Sequence, residues 1–81
     1  MKIEIIEPEQ AQEAIDWSKK QLLYKDFPDG SRDYIVSTGD HEEKEFIAVE
    51  INSIDFGCKF QAIKTDYNPA PKGTVIKITQ E

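Results

Sequence analysis

Asp33-Tyr34-Ile35-Val36-Ser37-Thr38-Gly39-Asp40-His41-Glu42-Glu43-Lys44-Glu45-Phe46-Ile47-Ala48-Val49-Glu50-Ile51 is the stretch whose reading decides the fold class. Residues 34–38 and 46–51 are rich in β-branched and aromatic side chains, the residues that suit a pleated surface. The polar residues 39–44 between them begin with Gly39, which tolerates positive φ, so the stretch reads as a β-hairpin. In the second strand Ile47, Val49 and Ile51 fall on one face and Phe46 and Ala48 on the other. A strand apolar on both faces belongs inside a sheet rather than at its edge.

Working back towards the N-terminus, residues 2–7 alternate isoleucine with charge and read as a first strand. Glu7-Pro8-Glu9 has the composition of a helix start, because proline lacks the N–H that would be unpaired there and acids complement the dipole. Ala11, Ala14, Ile15, Ser18 and Leu22 make an amphipathic stripe on that helix, which is expected to end near Lys20. Residues 21–26 then read as a strand, joined to residues 34–38 through the turn former Pro28-Asp29-Gly30. The alternative is that residues 21–26 continue the helix, over a four-stranded sheet.

Working forward, Phe56, Cys58, Phe60 and Ala62 alternate with Gly57, Lys59 and Gln61, a half-buried strand with its aromatics inward. Residues 65–73, with Pro69 and Pro71, read as an extended irregular connection. Residues 74–79 form the last strand. The expected fold is a single α+β domain over residues 1–81. One N-terminal helix packs on a mostly antiparallel, bent sheet of five to six strands, or on a small barrel.

Composition bounds the function. The net charge of −6 argues against general affinity for nucleic acid, which rests on neutralising phosphates. The acidity is uneven: residues 1–50 hold thirteen acids against six Lys or Arg, and residues 51–81 three acids against four lysines. A single cysteine excludes an intramolecular disulfide, and no residue spacing suits a structural zinc. With no long apolar run and no export-signal core, the expected location is the cytoplasm, away from membranes. A chain of this length holds a small core, so completion by a second copy in a homodimer is one expectation.

No constellation of residues converges on catalysis. His41, the only histidine, sits in Asp40-His41-Glu42-Glu43, and histidine beside carboxylates is the raw material of a general base or metal site. Consecutive residues at a hairpin tip splay outward, however, and a solvated tip is the better reading. Asp26, Asp29, Ser31 and Asp33 around Gly30 have oxygen ligands for calcium, but Pro28 breaks the spacing and Arg32 competes. Cys58 is placed inward by its alternation, as a small hydrophobe. No cofactor and no metal are expected.

Binding candidates remain. Trp17 lies off the centre of the expected helix stripe, so it is either a surface anchor for a partner or folded onto the sheet. Tyr67, beside Asn68-Pro69, is placed for a contact loop. The expectation is a non-catalytic binding or regulatory module acting through protein–protein contact, with Trp17, Tyr67, Asp40, His41, Glu42 and Glu43 as its surface. Acid clusters of this kind also imitate the charge of nucleic acid towards a basic partner. The alternative is a single-stranded nucleic-acid or small-ligand binder using the C-terminal strands, where Phe56, Lys59, Phe60, Lys64, Tyr67, Lys72 and Lys77 mix aromatics with cations.

Overall fold

A computed structural model of the chain describes residues 2–7, 14–52 and 56–80. Among them are strands β1 (Lys2–Ile6), β2 (Gln21–Asp26), β3 (Arg32–His41), β4 (Glu45–Glu50), β5 (Lys59–Ile63), β6 (Asn68–Pro69) and β7 (Val75–Thr79), with a 3-10 turn at Lys64–Asp66. Five strands form one antiparallel sheet in the order β5-β4-β3-β2-β6, and β1 pairs antiparallel with β7 in a separate ribbon. No helix among the described residues is long and apolar enough to cross a membrane.

The expected α+β class is overturned, because the described residues make a β-rich structure in which residues 14–20 are not helical. The first half of the expected helix, residues 8–13, lies outside the described residues. The cause in the second half is local. Asp16 Oδ1 accepts hydrogen bonds from Ser18 N at 3.1 Å and Ser18 Oγ at 2.6 Å, and Lys19 N donates to Asp16 O at 3.1 Å. Aspartate and serine offer the backbone this alternative to a helix, and here the turn takes it. The same bonds hold the exposed Asp16 carboxyl below its usual range. Gln21 secures the flank, its Oε1 accepting from Asp16 N at 3.0 Å and its Nε2 donating to Ala14 O at 3.2 Å. Leu22, read as part of the helix stripe, belongs to β2.

The hairpins follow the sequence more closely. β2 and β3 are joined through Pro28-Asp29-Gly30, with Gly30 at φ +89° and Phe27 N donating to Ser31 O at 2.9 Å. The β3–β4 connection is shorter than expected. Asp40 and His41 extend β3, and residues 42–44 alone turn the chain. Gly39, at φ +94°, makes an irregularity within the strand instead of opening the turn, and the register shifts between Ser37 and His41. β5 also starts late. Glu50 N donates to Cys58 O at 3.0 Å while Gly57 N donates to Glu50 O at 2.8 Å, a bulge that leaves Phe56 and Cys58 exposed rather than inward. The irregular connection contributes β6, whose Pro69 pairs with Leu23 at the sheet edge, the place in a sheet where proline is tolerated.

The main sheet has one closed face and one partly open face. The closed face buries Leu23, Ile35, Phe46, Ala48 and Ala62, with Ile15, Trp17, Phe60 and Tyr67 packed against them. On the other face Tyr24, Tyr34 and Ala70 form a smaller cluster, onto which Ile5, Leu22 and Ile51 pack. Ile5 brings β1, and with it the ribbon, to this end of the face. Val36, Ile47 and Val49, further along, stay half-buried.

Candidate functional site

The tip candidates lie at the end of the sheet where β3 passes into β4. Asp40 and His41 at the end of β3, Glu42 in the turn, Glu45, Phe46 and Ile47 at the start of β4 and Gln61 of β5 line an open cleft of about 230 Å³. Asp40, His41 and Glu42 of the rim are exposed and Glu45 is half-buried, whereas Phe46 behind them is fully buried. Gln61 Nε2 donates to Glu45 Oε2, which ties β5 to the rim. The fourth tip candidate, Glu43, is also exposed.

His41 is engaged with Lys64. Lys64 Nζ lies 3.0 Å from His41 Nδ1, and because an ammonium group only donates, the ring nitrogen accepts. The same Nζ stands 5.3 Å from the Trp17 ring centroid, within cation–π range. Trp17 in turn packs on Phe46 at 4.6 Å between centroids, and Tyr67 meets Phe46 edge-on at 5.5 Å. Trp17 and Tyr67 are therefore half-buried supports on either side of Phe46. Neither lines the cleft, and most of their surface is spent inside. Burial pushes the Tyr67 hydroxyl up to about 12, and the carboxylates of Asp33, Glu50 and Asp66 add to the effect.

Lys64, read from the sequence only as part of the nucleic-acid alternative, was not foreseen beside His41. It stands 23 residues beyond His41, and no local pattern links them. Glu45, Ile47 and Gln61 were also passed over, although the alternation around β5 places Gln61 and Ile47 on one face.

A second polar cluster fastens the ribbon. The Arg32 guanidinium grips Asp26 through Nε at 2.6 Å and Nη2 at 3.2 Å, and reaches Glu7 through Nη1 at 2.9 and 3.2 Å. It also lies 4.0 Å over the Tyr24 ring, and the Tyr34 hydroxyl donates to Glu7 Oε1. These partners, with Asp26 foremost, raise the Arg32 pKa, so the cation is permanent. Both carboxylates are occupied by Arg32, so the cluster reads as a clamp joining the end of β1 to the β2–β3 hairpin.

Chemically, the described residues contain no group of three His, Cys, Asp or Glu side chains that could hold a metal ion. The oxygen-bearing turn around Gly30 is closed internally: Asp29 Oδ1 accepts from Ser31 N at 2.9 Å and Ser31 Oγ at 2.6 Å, which lowers the Asp29 pKa. Of the proposed nucleic-acid platform, Phe60 packs towards the closed face while Lys59 lies on the opposite one. Lys59 and Phe60 are thus divided between the two sides of the sheet, whereas Lys64 shares the side of Phe60 and stands over Trp17. Compared with known proteins, the chain matches no family model, no curated protein and no solved structure.

Proposed function

We propose that this chain is a non-catalytic binding module that works by protein–protein contact, using the cleft at the β3–β4 end of the sheet. The observation that supports this most is the anatomy of the cleft. Asp40, Glu42 and Glu45 border the half-buried Ile47 on a strand anchored by the fully buried Phe46, and an apolar centre within a polar rim is the usual build of a contact surface. The acidic rim, on a chain of charge −6, suits a basic surface that also offers an apolar side chain. Trp17 and Tyr67 act beneath it, holding Phe46 in place. A reducing compartment fits the single exposed thiol of Cys58.

The test is capture of proteins from source-organism lysate by the tagged chain and by a Glu42→Lys, Glu43→Lys variant. Both substitutions fall on exposed turn residues and leave the core untouched. A protein retained by the parent and lost by the variant supports the reading. Identical capture by both moves the contact away from the tip and removes it.

A further inference from the structure

The two edges of the main sheet differ. At one edge β2 is covered by the two-residue β6, which includes Pro69. At the other, β5 has no strand on its outer side among the described residues. The pairing fixes which groups face outward. Lys64 N donates to Lys44 O and Cys58 O accepts from Glu50 N, with Phe60 opposite Ala48 and Ala62 opposite Phe46. Antiparallel ladders alternate, so residues 58, 60, 62 and 64 bond inward and the N–H and C=O groups of Lys59, Gln61 and Ile63 point out. All three side chains are exposed, Ile63 at 43 %. A row of unpaired backbone groups is a template for another strand.

We infer that this edge pairs antiparallel with the same edge of a second copy of the chain, joining two five-stranded sheets across a twofold axis at Gln61. Three features select this occupant. The outward residues are symmetric about Gln61, so the twofold sets Gln61 opposite itself and each Lys59 opposite Ile63, giving about six backbone hydrogen bonds. The edge is also polarised. Lys59 carries a cation at one end, while Ile63 at the other lies beside Glu45, its Cα partner on β4. Antiparallel self-pairing brings each cation towards Glu45 of the other copy and lays its stem on Ile63, whereas parallel pairing would stack lysine on lysine. Further growth of the main sheet is disfavoured, because its other edge is the two-residue, proline-containing β6. The Gly57–Cys58 bulge and the 3-10 turn at Lys64–Asp66 bound the strand and fix the register.

This inference deepens the proposed contact function, because the Lys59 side chain of the second copy reaches the Glu45 and Gln61 side of the cleft. Its test requires no other protein, so it fails independently. Sedimentation equilibrium of the purified full chain over a concentration series is expected to show a monomer–dimer equilibrium. Amide exchange of Lys59, Gln61 and Ile63 is expected to slow as concentration rises. Lys59→Glu is expected to weaken association by about tenfold or more, and Lys59→Glu with Glu45→Lys to restore it. Ile63→Lys, which sets a second cation opposite Lys59, provides an independent disruption at an exposed site. A monomer at every soluble concentration overturns the inference. So does a dimer whose three edge amides stay unprotected, or one unaffected by either single variant. An extended segment of another protein that protects those amides while the purified chain stays monomeric assigns the edge to that partner instead.

Discussion

Ser37 is the one fully buried polar side chain among the described residues, and its hydroxyl explains why it is tolerated there. Its Oγ accepts from Gln21 N at 3.1 Å and lies 3.1 Å from Lys19 O, so it joins β3 to the turn that leads into β2. Ser37→Ala is expected to lose about 1–3 kcal/mol, read by urea denaturation, because partly buried backbone groups would be left unmatched. Phe46→Ala is expected to cost about 3–5 kcal/mol, since Trp17 and Tyr67 both rest on that ring. Trp17 emission reports the same change as a shift to longer wavelength. Tyr67 predicts a pH dependence. Its folded-state pKa is raised to about 12 from 10.0, so the neutral hydroxyl is the form the fold favours. The associated stability is complete below pH 10 and is lost as pH rises towards 12. Tyr67→Phe should flatten that loss in alkaline denaturation curves, and an unchanged profile would place the alkaline sensitivity elsewhere.

Among the elements, the irregularity at Gly39 shifts the β3–β4 register between Ser37 and His41. A Cβ there would stand 3.1 Å from Ser18 O at a φ of +94°, whereas at Gly30, with φ +89°, it would meet nothing within 4 Å. Gly39→Ala is therefore expected to destabilise by more than Gly30→Ala, which should cost on the order of 1 kcal/mol from backbone strain alone. Thermal denaturation of the pair gives the comparison, and equal losses would contradict the close approach of Ser18. The elements that the sequence revealed are those specified by neighbours in the chain. Pro28-Asp29-Gly30 closes its own turn, and the β-branched runs of β3 and β4 declare strands. The helix was misread because Ala14, Ile15 and Ser18 also satisfy helical spacing. What decides against it is a set of bonds from Asp16 to Ser18 and from Gln21 back to Ala14. The inward Ile15 and Trp17, separated by the exposed Asp16, show in retrospect the two-residue period of extended chain. Cys58 and Phe56 were misplaced because alternation says nothing of a bulge.

At the scale of the molecule, the tip residues Asp40, His41, Glu42 and Glu43 were legible because charge at a hairpin end is a local property. Their relation to Lys64, Trp17 and Gln61 was not, because it arises only when β5 and the 14–20 turn are brought to β4. The free edge of β5 was likewise hidden, since strand order is a property of the whole sheet. All of these features depend on one arrangement: a sheet centred on β3 and β4, with the non-helical segment of Ile15 and Trp17 packed on its closed face. Amide hydrogen exchange on the dilute, full-length chain tests that arrangement most directly. Its slowest amides should fall at Ile35, Val36, Phe46, Ala48 and Val49, with residues 14–18 exchanging much faster than these. A continuous block of slow amides through residues 14–20, or rapid exchange across β3 and β4, would contradict it.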